Sequence, residues 1–246
     1  MPNPKVHLVS FADGAFANRK NVFQSMAQDT CLFDRIDVHN LDSLPTDFKH
    51  AHGDYMTQTA RGFGFWIWKP VVILETLKSA EKDDWVVYLD VGFSINQNGK
   101  RRFTEYLELT RDSPYKTLSF NNVFTEAHWT KQDCAAAIGV SKDSSHLKTS
   151  QLGSGFIVFQ KTNSNLELLE TWSHIAVKDD YHFSDDSPSV LDNHPDFRQH
   201  RHDQSISSLL RKARGTEITH YEVQAYEGRF ESMKDKLPAW ATRLRR

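Results

Sequence analysis

Trp85-Val86-Val87-Tyr88-Leu89-Asp90-Val91-Gly92 is the stretch whose reading decides the fold. Its first five residues are apolar and rich in β-formers, and they follow the charged lead-in Lys82-Asp83-Asp84. Such a run reads as a buried central strand. A carboxylate at the carboxyl end of that strand stands where open α/β sheets bind ligands. Gly92 lets the backbone turn away and leaves room for something bulky. An Asp at this point can also do no more than cap the next turn, so the rest of the chain has to decide between the two.

On either side, strands and helices alternate. Val6–Phe11 reads as a first strand closed by Ala12-Asp13-Gly14, with a helix from about Asn18 to Gln28 and a short strand at Ile36–His39. Pro70 suits the first turn of a helix that runs to about Ala80, with Ile73, Leu77 and Ala80 on one face. After Asp90, the spacing of Phe103, Tyr106, Leu107 and Thr110 predicts another helix, and Lys116–Phe120 a strand. Thr130 fits a helix cap, with Asp133 in the first turn and Gly139 at the end. Gly155–Phe159 reads as a buried strand, and Leu166, Leu169, Trp172 and Ile175 as a helical stripe. A polar segment, 178–202, precedes a short helix at Gln204–Lys212 and a late strand at Glu217–His220. This alternation predicts one α/β domain over 1–246, a mixed central sheet with helices on both faces.

The length suffices for one large domain with a sizeable core. With a formal net charge of −2, no global field recruits nucleic acid. Basic residues are scattered apart from a basic tail over 236–246, ending in Arg243, Arg245 and Arg246. Two cysteines, Cys31 and Cys134, in unrelated surroundings make neither a disulfide framework nor a zinc spacing, and point to a reducing compartment. The start of the chain shows no signal-peptide pattern, and no apolar stretch approaches the ~18 residues of a membrane span. The expectation is a cytoplasmic protein.

Three further stretches carry candidate chemistry. Arg61-Gly62-Phe63-Gly64-Phe65-Trp66-Ile67-Trp68-Lys69-Pro70 places two glycines, four aromatics and two cations ahead of a helix start. Glycines permit close backbone approach and a helix N-terminus attracts anions, so Arg61 or Lys69 could meet a phosphate. An aromatic such as Trp68 could stack on a base or sugar, although such clusters more often build cores. His200-Arg201-His202-Asp203-Gln204-Ser205 could ligate a metal through His200 and His202, or Asp203 could simply cap the helix that follows. The 178–202 segment holds Asp185, Asp186, Asp192, His182 and His194, and reads either as a solvated face or as a flexible, ligand-closing segment. Gln151-Leu152-Gly153-Ser154-Gly155 offers small residues, Gly153 and Ser154, that would let a sugar approach the sheet edge.

Taken in order, these pieces resemble nucleotide-sugar-dependent glycosyltransferases of the GT-A type, and more closely the bacterial capsule and O-antigen glycosyltransferase-like proteins. The similar stretches are Arg61–Pro70, Tyr88–Asn96, Trp129–Asp133, Asp185–Pro188, and His194–Phe197 through to His200–Leu210, within roughly residues 5 to 220. The resemblance implies a nucleotide-sugar donor, uridine-linked, and a glycan or lipid-linked glycan acceptor in surface polysaccharide synthesis. It implies work at the inner face of the cell membrane, with peripheral membrane association. In GT-A enzymes an Asp-x-Asp at the strand end binds the donor ribose and a divalent metal, Mn2+ or Mg2+. Asp90 matches the first Asp and Gly92 replaces the second. Either Asp90 shares the metal with His200 or His202, or no metal is needed. Asp203-Gln204 matches the Asp-Gln pair of retaining members.

The implied chemistry sets demands on other residues. A sugar leaving a nucleoside diphosphate passes through an oxocarbenium-like state, and the leaving group needs cations; Lys69, Arg61 and Arg201 are available. An inverting enzyme needs a carboxylate base, for which Asp133, Asp186 and Asp203 are candidates. Two other functions fit part of the pattern. A metal-dependent hydrolase would use Asp90, His200, His202 and Asp203, and a catalytically silent relative would bind nucleotide or glycan.

Overall fold

The computed structural model describes residues 3–220, 222–223 and 229–242, with the backbone alone for 229 and 230. The first half runs β1 (Val6–Phe11), α1 (Arg19–Thr30), β2 (Arg35–His39), α2 (Thr46–Gln58), α3 (Gly62–Phe65), α4 (Lys69–Ser79), β3 (Trp85–Leu89), β4 (Phe93–Ile95) and α5 (Lys100–Asp112). The second half runs β5 (Thr117–Thr125), α6 (Glu126–Trp129), α7 (Gln132–Ala137), β6 (Ser150–Leu152), β7 (Phe156–Gln160), α8 (Asn163–Val177), α9 (His202–Arg214), β8 (Glu217–Thr219), α10 (Arg229–Met233) and β9 (Ala239–Ala241).

The main sheet is mixed and seven-stranded, in the order β2-β1-β3-β7-β5-β6, with β8 added to β5. β3 is central: it pairs parallel with β1 and antiparallel with β7, Leu89 opposite Phe156. Alternation along the strands builds two core layers. Val9 and Phe11, Val86 and Tyr88, Ile157 and Phe159 face one layer, with Trp172 and Ile73 from α8 and α4. Leu8, Val87, Leu89, Phe156 and Val158 face the other, with Phe23 from α1 and Phe103 and Tyr106 from α5. Helices therefore cover both faces, as the alternating pattern predicts.

Several features depart from the sequence reading, among them the cap of α7, which is Lys131 and not Thr130. α2 was not expected; its only buried residue is Met56. β9 folds back onto β4 as a separate two-stranded ladder, Ile95 opposite Ala239. α9 begins at His202 with Arg201 as its cap, so Asp203 lies inside the first turn and is not the cap. Of the basic tail, Arg243, Arg245 and Arg246 lie outside the described residues. Among the described residues, no helix is long and apolar enough to cross a membrane.

Candidate active site

β3 delivers Asp90 to the carboxyl edge of the sheet, where its backbone N–H is held by the Gly155 carbonyl at 2.8 Å. A Cβ at Gly155 would lie 2.7 Å from Asp90 Oδ2 and 3.0 Å from Phe93 Cε2, so a side chain there would displace the carboxylate. Asp90 Oδ1 accepts from the Tyr88 hydroxyl at 2.6 Å and lies 3.2 Å from Lys69 Nζ. The ammonium also donates to Asp203 Oδ2 at 2.6 Å and reaches the Ser154 hydroxyl at 3.3 Å. Ser154 in turn donates to Asp203 Oδ2 at 2.8 Å. Lys69 is buried, as is Asp203, whereas the Asp90 side chain keeps 37% of its exposure.

Burial pulls the Lys69 pKa down, but Asp203 and Asp90 outweigh it and the net shift is upward. Burial, with Asp90 next, pushes the Tyr88 phenol well up. Lys69 is therefore an ammonium and Tyr88 a neutral donor. Two carboxylates around one ammonium leave one net negative charge, and Asp90 is the member that meets solvent. Beneath the group, fully buried Arg211 of α9 donates to the Gly153 carbonyl at 2.9 Å and the Leu152 carbonyl at 3.4 Å. That contact holds the turn carrying Ser154 in place. Burial lowers the Arg211 pKa to about 9, which still leaves a cation at neutral pH.

An unusual backbone sets up Lys69. Gly62, Phe63, Gly64, Phe65 and Trp66 all have positive φ, between 51° and 83°. This is a left-handed turn, a conformation that costs about 1–2 kcal/mol per non-glycine residue. A Cβ at Gly62 would lie 2.4 Å from the Trp66 ring, and one at Gly64 would lie 2.7 Å from Met56 Cγ. The indole N–H of Trp68 donates to the Gly62 carbonyl at 3.1 Å, and its ring stacks on Phe11 at 4.0 Å. Trp68, expected to face a donor, thus lies in the core and clamps the turn. Arg61, at the entry, pairs with Asp186 at 3.0 Å, both partly exposed.

The 178–202 segment has no regular structure up to Arg201 and is pinned from beneath. Asp133 accepts from His182 Nε2 at 2.7 Å and from the backbone N–H groups of Val190 and Leu191 at 2.6 and 2.8 Å. Burial alone would raise the Asp133 pKa; the donors from Val190, His182 and Leu191 outweigh it and bring it to about 2. Its carboxylate is spent on the segment and is a poor base. Buried Lys131 holds Asp185 and Ser187 from the same side. Arg201 lies over the rings of Phe124 and Trp129, at 4.8 and 4.2 Å. The Gly92 carbonyl accepts from the Thr242 hydroxyl at 2.9 Å.

The two histidines proposed as ligands differ. His200 donates through Nε2 to the Phe183 carbonyl at 2.9 Å and accepts at Nδ1 from the Lys131 N–H at 3.3 Å. No lone pair is left for an ion. His202 donates through Nδ1 to the Ser184 carbonyl at 2.7 Å. Its Nε2 is buried without a hydrogen bond, 3.7 Å from Asp186 Oδ1. Among the described residues, no three His, Cys, Asp or Glu side chains converge as a metal would require. His200, with both ring nitrogens engaged, is not available as a ligand; Lys69 lies on Asp90 Oδ1, and of the two histidines only His202 keeps a ring nitrogen, Nε2, without a hydrogen bond.

Gln204 follows Asp203 on α9 and is half-buried. Its NH2 donates to Gln151 Oε1 at 2.6 Å, and its Oε1 receives one long contact, 3.5 Å, from Asn122 Nδ2. The structure therefore brings Asp90, Lys69, Ser154 and Asp203 into one cluster with Gln204 alongside in sequence. Arg61 and Asp186 form a separate pair at the rim of the left-handed turn. Sequence reasoning missed Tyr88, Gln151 and Arg211. Each is an ordinary strand or helix residue in sequence, and only the fold gives it a polar partner.

No protein-family model matches the chain, and no curated protein sequence matches it. Solved structures do resemble it. One is a glycosyltransferase involved in the glycosylation of the major capsid of PBCV-1, with TM-score 0.51 and 11% identity over 97% of this chain and 93% of that one. The WbbM bifunctional glycosyltransferase gives TM-score 0.51 and 11% identity over 98% of this chain, which spans 46% of WbbM's length. Mouse xyloside xylosyltransferase 1 gives TM-score 0.48 and 11% identity over 97% of each chain. The likeness to the first two is one of fold, and that fold is the GT-A-like mixed α/β sheet.

Proposed function

We propose that this protein is a glycosyltransferase that moves a sugar from a uridine-linked nucleotide sugar to a glycan or lipid-linked glycan in surface polysaccharide synthesis. The observation that carries the proposal is the Asp90–Lys69–Asp203 cluster at the carboxyl edge of β3, in a fold shared with solved glycosyltransferases. Asp90, partly exposed, is the group that meets the donor. Asp203, held by Lys69 and Ser154, and the neighbouring Gln204 face the sugar carbon on which positive charge develops. This pair supports a retaining outcome. Arg61, at the rim, is the exposed cation available to the leaving diphosphate.

His200 is not available to a divalent ion, and no step here runs through one. Lys69 supplies the positive charge that Asp90 would otherwise take from a metal. The test is a thermal-shift and turnover screen of UDP-, GDP- and dTDP-linked sugars, with manganese and with EDTA. The proposal expects a stabilising shift and release of nucleoside diphosphate with at least one donor, undiminished by EDTA. Hydrolysis of a phosphoester without donor would favour a hydrolase instead. Binding without turnover would favour a silent relative.

A further inference from the structure

We infer that Gln151 is a positioning residue that sets the amide of Gln204 with its carbonyl oxygen, and not its NH2, turned toward the reacting sugar. The inference rests on the reading of Gln204 given above. It follows from counting protons along a buried chain that begins at Glu126. Glu126 is fully buried and paired with Lys212 at 3.0 Å, so it only accepts. The Thr130 hydroxyl gives its proton to Glu126 Oε2 at 2.8 Å. Thr130 can therefore only accept from the next group, Gln151 Nε2, at 3.0 Å.

The other neighbours of Gln151 Nε2 impose the same sense. The Ser205 hydroxyl spends its proton on the Trp129 carbonyl at 2.8 Å and lies 3.2 Å from Gln151 Nε2. The Trp129 carbonyl itself is 3.4 Å away. With acceptors on that side, Gln151 must show NH2 there and its carbonyl at the other end. That carbonyl meets the terminal nitrogen of Gln204 at 2.6 Å, a contact only an N–H can make. Gln204 consequently gives its NH2 to Gln151 and keeps Oε1 at the opposite end of the amide, 3.5 Å from Asn122 Nδ2. Asn122 agrees: its Oδ1 accepts from the Val123 N–H at 2.8 Å, so its NH2 is the end that faces Gln204 Oε1.

Reversing the Gln204 amide would set two carbonyl oxygens against each other in a buried contact. The order therefore propagates from Glu126 through Thr130 and Gln151 to Gln204. A carbonyl oxygen at the end of the amide opposite Gln151 is a partial negative charge suited to an oxocarbenium-like carbon, whereas an NH2 there would oppose it. Gln151 is itself fully buried and touches no substrate. Its effect passes through Gln204.

A double-mutant cycle tests this. UDP or GDP release is measured in steady state for wild type, Gln151→Met, Gln204→Ala and the double variant, using the best donor among UDP-glucose, UDP-galactose, UDP-N-acetylglucosamine and GDP-mannose. Gln151→Met is expected to lower kcat about 10- to 100-fold, as small misplacements of catalytic groups do, and to leave KM within about threefold. Once Gln204 is Ala, the same substitution is expected to change kcat less than about twofold. If Gln151→Met fails to fold, Thr130→Val probes the chain one step earlier, with a smaller loss that again depends on Gln204. Equal losses in both backgrounds, a change in KM alone, or no loss would overturn the inference. Full kcat in Gln204→Ala would instead remove the premise about Gln204, and the inference with it.

Discussion

A buried ammonium between two carboxylates makes Lys69 the most informative residue to replace. Lys69→Met leaves Asp203 buried without its partner, and breaking such a pair costs about 3–5 kcal/mol. Urea unfolding should show that loss, and adding Asp203→Asn should recover part of it. Equal stability of wild type and Lys69→Met would mean the cluster does not hold the two elements together. At this scale the sequence marked Asp90, Lys69, Ser154 and Asp203 one by one, through strand-end position, cationic lead-in and helix start. It could not show that they meet, because Lys69 and Asp203 are 134 residues apart. Nor could it separate a capping Asp from one whose carboxylate turns inward, since both are an Asp at a helix start. Trp68 was misplaced for a related reason: an aromatic beside glycines looks the same in sequence whether it faces a base or, as here, stacks on Phe11.

Among the elements, the left-handed turn at Gly62–Trp66 and the pinned 178–202 segment carry the strongest expectations. Gly64→Ala puts a Cβ 2.7 Å from Met56 Cγ and 3.0 Å from its Cα, at φ 83°. Strained positions of this kind cost about 1–3 kcal/mol, so a fall in melting temperature is expected, and an unchanged one would mean the turn relaxes freely. Asp133 gives a pH signature. Its folded-state pKa of about 2 lies below the unfolded value near ~3.9. It therefore contributes stability above about pH 4 that is lost as pH falls toward about 2. Melting temperatures over that range should decline less steeply for Asp133→Asn than for wild type; parallel curves would contradict the assignment. We also expect proteolysis within 178–202 to slow when UDP is added, and unchanged cleavage at saturating UDP would favour a plain surface segment. Strongly periodic elements, such as α4, α8 and β3, were legible from their apolar spacing. α2 was not, because Thr46–Gln58 is polar and buries only Met56. β9 was not, because three residues pairing with distant β4 leave no local signal.

At the scale of the whole molecule, the topology explains why these residues form a site. β3 lies between parallel β1 and antiparallel β7. Its carboxyl edge therefore receives Asp90 from β3, the Gly153–Gly155 turn that precedes β7, and the first turns of α4 and α9. Four segments far apart in sequence each supply one polar group. Alternation of strands and helices was enough to predict the mixed sheet, but the antiparallel run of β7 was not readable, because a buried strand shows the same apolar run in either direction. Ligand-induced shifts follow the same logic: a nucleotide at about 100 times its dissociation constant should stabilise the fold by about 2.7 kcal/mol. The central claim is that Asp90 of this cluster serves a nucleotide-sugar transferase, and the direct measurement is nucleoside diphosphate release from UDP-sugars by wild type and Asp90→Asn, each with its melting temperature. The account predicts release by wild type and its near-complete loss in Asp90→Asn with the fold retained. Release by neither protein from any donor, or equal release by both, would contradict it.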